Sequence, residues 1–433
     1  MRPSILIVGT GPVAVQLGVL FDKYLDAEIA FVSRSHVSAR SKQFVEAVAA
    51  SGDIEAHVQN KQHDTLTGTA TPRHVFDAYA SVTGTYDYLV LACTADAYVD
   101  TLKQLPNAVL EKIKSVLLVS PTLGSNIIVR TQLEPIQPQI DVVSCSTYLG
   151  DTRVLDQTKP YRVTTMGLKK HLYLGATADT SELLARLTHM FECIDLPVTV
   201  VTNPIEAESR NSSLYVHPAL FMNAHALKAI FYGTDVPFYV YKLYPEGPIT
   251  MDLIHEMRGM WQEITSILKA LNVKPLNLLR FMVEENYPLR PETMSKTKIA
   301  QFESLPEMEQ EYLLYVRYTG ILIDPFSTPN AKGFYEDFSA VPFRQIYQNH
   351  EGIWEIPRMP HEDYYRTKII QGLGRALCIE TPMIDMLLTR YETMLQHFHE
   401  ERPHLKKSQQ FFPKTFKSDM IVFSKGFKQL KEK

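Results

Sequence analysis

The chain has 433 residues, 45% of them hydrophobic, with a formal net charge of −4 and a sequence pI near 6.4. That length supports two or three cores, and the mild acidity argues against nucleic acid or an anionic membrane as partner, since both select basic surfaces. No apolar run reaches the roughly 18 residues that span a bilayer, and the four widely spaced cysteines, Cys93, Cys145, Cys193 and Cys378, read as isolated thiols rather than a disulfide framework. The chain enters a strand at once, with no signal-peptide pattern. The expectation is a cytoplasmic globular protein.

Ser4-Ile5-Leu6-Ile7-Val8 is a buried-strand pattern, followed by Gly9-Thr10-Gly11-Pro12-Val13-Ala14 and then by helical periodicity through Val15, Leu17, Val19, Leu20 and Tyr24. Strand, glycine turn and helix make the G-x-G-x-x-A form of a dinucleotide-binding unit. Gly9 permits the tight turn, Gly11 admits a pyrophosphate close to the backbone, and Ala14 lets helix and strand pack closely. The phosphates would then meet free N–H groups at a helix N-terminus. A plain tight turn is the alternative reading.

A second strand is predicted at 28–32. An NAD site places a carboxylate at its end, but this strand runs into Ser33-Arg34-Ser35, with Arg40 and Lys42 close behind. A guanidinium can take a 2′-phosphate bidentately, so the cofactor is expected to be NADPH/NADP+. A solvated basic loop is the competing view. Further strands are predicted at 88–93, 116–120 and 142–146, each flowing into small or polar residues: Thr94-Ala95-Asp96, Pro121-Thr122-Leu123-Gly124-Ser125 and Thr147-Tyr148-Leu149-Gly150-Asp151. Ligands bind beyond the carboxyl ends of parallel strands, where small residues leave room. Shorter alternating stretches and one helix, 181–193, complete a Rossmann domain over 1–203.

From 204 onward helical periodicity dominates, with helices predicted at 214–231, 249–271, 276–285, 308–322, 363–376 and 382–398. Residues 402–433 form a basic arm whose phenylalanines pack on the body. The fold class is therefore α/β: an N-terminal Rossmann NADP-binding domain, then a mainly α-helical domain over 204–433.

The densest polar stretch of this second domain is Arg210-Asn211-Ser212-Ser213-Leu214-Tyr215-Val216-His217-Pro218, with Asn211 or Ser212 as a natural N-cap. His217 is a candidate general acid and base at neutral pH, although on spacing alone a single histidine is more often structural. Asp324, in Asp324-Pro325-Phe326, could orient an imidazole or simply end a helix.

Several blocks carry a family resemblance: Gly9 to Ala14, Ala92-Cys93-Thr94-Ala95-Asp96-Ala97-Tyr98, Ser146-Thr147-Tyr148-Leu149-Gly150-Asp151-Thr152-Arg153, the 210–218 stretch, Gly233-Thr234-Asp235-Val236-Pro237, residues 244–250, and Arg358-Met359-Pro360 with Asp363-Tyr364-Tyr365-Arg366. Over nearly its whole length the chain resembles the opine metallophore dehydrogenases. The resemblance implies a Rossmann domain joined to the helical opine dehydrogenase domain, usually as a homodimer. It also implies NADPH-dependent reductive condensation of an α-keto acid with the primary amine of an aminobutyrate-extended, histidine-derived amino acid. The product binds transition metals, while the enzyme itself is expected to need none.

On that resemblance His217 matches the catalytic histidine, and Asp324 is its expected partner. Gly9, Thr10, Gly11, Pro12, Val13, Arg34, Arg40, Thr94 and Ala95 bind the cofactor. Asp151 matches the position linked to keto-acid choice, where its charge would repel the second carboxylate of 2-oxoglutarate, favouring pyruvate and a staphylopine-like product. Tyr148 joins it in the substrate site, and Arg210, Lys242, Arg290 and Arg366 are the candidate cations for substrate carboxylates. The competing readings are the same reaction with 2-oxoglutarate, a ketopantoate-type NADP reductase, and a regulatory protein that only senses NADPH.

Overall fold

The computed structural model describes residues 2–34, 38–323, 328–335, 337 and 339–431, the last four of these in backbone only. Two compact units result: one runs to Arg210 and takes up the chain again from Ser418, and the other spans Asn211–Lys417.

The first unit is built on strands β1 (Ser4–Val8), β2 (Glu28–Val32), β3 (Ile54–Val58), β4 (Gly68–Ala70), β5 (His74–Phe76), β6 (Tyr88–Leu91), β7 (Ser115–Leu118), β8 (Asp141–Cys145), β9 (Gly150–Arg153), β10 (Arg162–Leu168), β11 (Leu172–Ala176) and β12 (Val198–Val201). Eight of them form one sheet in the order β12-β11-β8-β7-β6-β1-β2-β5. All its neighbours are parallel except β8 and β11. The strand order reverses between β1 and β6, the crevice where doubly wound sheets hold ligands. The predicted strands at 28–32, 88–93, 116–120 and 142–146 are all present.

A second sheet, ordered β4-β3-β10-β9, was not expected. Its existence explains why the helix Pro12–Leu25 is apolar almost all round. That helix touches β1 and β2 on one side and β3, β4, β9 and β10 on the other, so residues from Ala14 to Phe21 are all buried. Gln16, fully buried among them, donates to the Leu66 carbonyl at 3.0 Å and accepts from the Thr165 hydroxyl at 2.8 Å. Both halves of its amide are satisfied, as burial requires.

The second unit is helical, as its periodicity predicts. The helix expected over 214–231 is instead two, Ser213–Phe221 and Ala224–Tyr232. Asn223 makes the break: its side-chain oxygen caps Ala226 N–H at 2.9 Å, and its amide donates to the Ala219 and Leu220 carbonyls at the preceding end. The stretch 276–285 is a short turn, Leu278–Arg280, running into π-helix over Phe281–Asn286. Long helices Met251–Ala270, Glu307–Gly320, Arg358–Ala376 and Pro382–Glu401 complete the unit.

The terminal stretch is more ordered than an arm: Lys417–Lys431 is a helix, and from Ser418 it belongs to the first unit. The boundary expected at 203/204 falls at the start of the helix Pro204–Ser209, which packs on β8 and β11. Among the described residues no helix is long and apolar enough to cross a membrane.

Candidate functional site

In the first unit the glycine turn sits where β1 and β6 end side by side. Gly9 has φ +121°, and a side chain there would stand 2.9 Å from the Ala92 carbonyl oxygen. Both its backbone angle and its closeness to the next loop therefore require glycine. Gly11 opens the helix Pro12–Leu25 as its N-cap, with Pro12 in the first turn. Among the described residues nothing lies within 4 Å of where a Gly11 side chain would be. The described residues thus leave room at Gly11, as a pyrophosphate would need.

Thr94 precedes the short turn Ala95–Ala97 after β6, on the other side of the same crevice. Arg34, directly after β2, is exposed, and so is Arg40 at the start of the helix Ala39–Ser51, which Ser38 caps through Ser41 N–H. No carboxylate occupies the end of β2. The residues present fit a dinucleotide bearing a 2′-phosphate. Thr10 and Val13 lie in the same turn and first helical turn, half-buried.

The substrate candidates of this unit are less open. Tyr148 is buried, with its hydroxyl 2.8 Å from that of Thr152, and burial pushes its phenol up. Asp151 lies on β9, half exposed, and receives both an Nε and an NH2 bond from Arg153 at 3.0 and 2.6 Å. Its charge is met two residues away. Arg210 is buried against Glu206 at 2.9 Å and over the Tyr173 ring.

In the second unit, Asn211 accepts from Ser213 N–H at 3.0 Å and starts the helix Ser213–Phe221. That helix packs on Arg358–Ala376 and Met251–Ala270. The packing brings His217 to Asp363: Nδ1 stands 3.6 Å from the Asp363 carboxylate, the histidine one-fifth exposed and the aspartate fully buried. Among the described residues neither His217 Nδ1 nor Asp363 Oδ2 has a hydrogen-bond partner; the oxygen facing Nδ1 is Oδ1, which accepts from Arg366. Phe221 stands edge-on to the imidazole at 5.5 Å. The expected partner, Asp324, lies outside the described residues.

Asp363 was missed because its link to His217 crosses two helices distant in sequence. Its signal was present in the dense polar run His361-Glu362-Asp363 with Arg366. The cations expected to hold substrate are engaged. Arg366 bridges Glu362 at 2.8 Å and Asp363 at 3.1 Å. Lys242 lies between Asp337 at 2.5 Å and Glu246 at 3.3 Å, and the Asp337 bond pulls its ammonium up. Arg290 stacks over Tyr335 at 4.7 Å.

Comparison with known proteins identifies the family. The family described as staphylopine dehydrogenase matches residues 3–426. A staphylopine synthase from Staphylococcus aureus (strain Mu50 / ATCC 700699) is 50% identical over 98% of each chain. A pseudopaline synthase from Pseudomonas aeruginosa (strain UCBPP-PA14) is 34% identical, covering 91% of this chain and 90% of its own. An NADP+-bound yersinopine dehydrogenase superposes with a TM-score of 0.91, at 29% identity over 99% of each chain. The chain belongs to the staphylopine dehydrogenase family.

Proposed function

We propose that this protein is an NADPH-dependent opine metallophore synthase. It joins an α-keto acid, pyruvate in preference to 2-oxoglutarate, to the primary amine of a histidine-derived, aminobutyrate-extended amino acid, giving a staphylopine-like product. Half identity to a staphylopine synthase over nearly all of both chains carries the reading. We also read it as a cytoplasmic homodimer.

Gly9, Thr10, Gly11, Pro12 and Val13 would hold the cofactor's pyrophosphate, Arg34 and Arg40 its 2′-phosphate, and Thr94 and Ala95 the opposite wall. When bound, the nicotinamide supplies the hydride that reduces the imine. The amine adds to the keto carbon to give a carbinolamine, which must lose water first. With Nδ1 turned to Asp363, His217 keeps Nε2 for the substrate, and a proton given from Nε2 lets the hydroxyl leave as water. Asp363 holds the ring and balances the imidazolium charge, and Arg366 holds Asp363.

The test is NADPH oxidation, followed by the nicotinamide absorbance, with each keto acid offered separately, with and without the amine. Turnover with pyruvate that requires the amine supports the proposal. Keto-acid turnover without amine points to a simple reductase instead, and NADPH binding with no oxidation by any pair points to a sensor. His217→Ala is expected to lower kcat by about 10²- to 10⁴-fold while leaving NADPH affinity unchanged.

A further inference from the structure

His189 and Cys193 are one helical turn apart on the helix Glu182–Cys193, a spacing that puts both on one face. Leu183, Leu187, Met190 and Phe191 form the buried face of that helix, whereas His189 is exposed and Cys193 half-buried. The Cys193 sulfur lies 3.8 Å from His189 Nε2. Two ligands of one tetrahedral zinc, a thiolate at about 2.3 Å and an imidazole nitrogen at about 2.0 Å, stand about 3.6 Å apart. The pair therefore needs little adjustment to share an ion, and a histidine and a cysteine at this spacing make half of a four-ligand zinc set.

The surroundings favour a cation. The Glu192 carboxylate is 3.9 Å from Nδ1, the other nitrogen of the same ring, where a carboxylate orients a ligating imidazole and raises its basicity. Cys193 is the last residue of the helix, at the end that carries partial negative charge. That last turn has no basic residue, and Asp195 just beyond it is exposed. Arg186, a turn earlier, is held by Glu182 at 2.7 and 3.0 Å. Thiolate with imidazole selects borderline-soft ions over magnesium or calcium. Among the described residues no group of three or more histidines, cysteines and carboxylates could hold a metal, so the remaining coordination positions fall to water. We propose that His189 and Cys193 form an open surface site for zinc or a similar divalent transition metal, the thiol proton passing to solvent as the metal binds. The proposal does not depend on the reductive-condensation reading.

The full-length protein, stripped with a chelator, is titrated with Zn2+ while alkylation of each cysteine is followed by peptide mass spectrometry. Zn2+ should slow alkylation of Cys193 at least about tenfold, with half-protection at about 1–100 µM metal, since two ligands supply roughly half the binding free energy of four. In His189→Gln that midpoint should rise about 10- to 100-fold, and in Glu192→Gln about tenfold. Co2+ in place of zinc should give a thiolate-to-cobalt charge-transfer absorption. Cys193→Ser should abolish it, whereas Cys378→Ser, which changes the other accessible thiol, should leave it intact. Burial pushes Cys93 and Cys145 up to about 12, so both stay protonated. Cys193 alkylated equally fast with and without Zn2+ overturns the proposal. Protection unchanged in His189→Gln also overturns it, because the thiol alone would then be the ligand, and so does a cobalt signal that follows Cys378. Should Cys193→Ser not fold, the zinc protection measured in His189→Gln decides alone.

Discussion

Glu208 is fully buried and accepts from Gly124 N–H, Asn126 N–H, the Asn126 amide and the Ser144 hydroxyl, at 2.7–2.9 Å. Its carboxylate caps the helix Ser125–Leu133, but burial outweighs those bonds and lifts it from the ordinary 4.5 to about 7. The protonated form is therefore favoured by folding. Its stabilising contribution is complete below pH 4.5 and is lost as pH rises to about 7, a change of about 3 kcal/mol. Urea unfolding across that window should show the decline, and Glu208→Gln, which cannot ionise, should flatten it. Asp151 presents a different case, because Arg153 already neutralises it. Asp151→Ala removes a repulsive charge and also releases a guanidinium. The ratio of kcat/KM for 2-oxoglutarate to that for pyruvate should rise about tenfold. If the freed Arg153 is responsible, Asp151→Ala combined with Arg153→Ala loses the gain, whereas loss of repulsion alone would preserve it.

Among the elements, the terminal helix packs tightly at a glycine. A side chain at Gly426 would stand 2.0 Å from the Thr131 hydroxyl and 2.8 Å from an Ile127 methyl, while Phe423 and Phe427 of the same helix are buried. Gly426→Ala should push the helix off Ser125–Leu133 and destabilise the protein by roughly 1–3 kcal/mol, read by chemical denaturation. This helix also shows where sequence reading runs out. Lys417–Lys431 is mostly polar and basic, so its one aromatic face read as an arm. The Rossmann strands were legible because continuous burial makes uninterrupted apolar runs. The strands β3, β9 and β10 were not, since they alternate with Glu55, His57, Asp151 and Arg162, and β3 pairs with β10 across a long separation. Of the site, the glycine turn, Arg34 and His217 were visible as local patterns or family blocks. Asp363 gains its meaning only from packing, from a histidine on another helix.

For the whole molecule, the second unit is an insertion within the first. The chain leaves the Rossmann unit after Arg210 and rejoins it at Ser418, so ending it at Lys417 should damage the first unit more than the second. Hydrogen exchange should show lost protection across Ser125–Leu133 in the truncated chain, while the helices Met251–Ala270 and Arg358–Ala376 keep theirs. Equal loss in both units would contradict that division. The same interruption sets a timetable for synthesis. A ribosome makes the β1-to-β12 framework first and its closing helix last, so every residue of the helical unit emerges before the framework can be completed. The unit that begins first is thus finished last. Until then, the surface on Ser125–Leu133 that receives Gly426 lacks that helix.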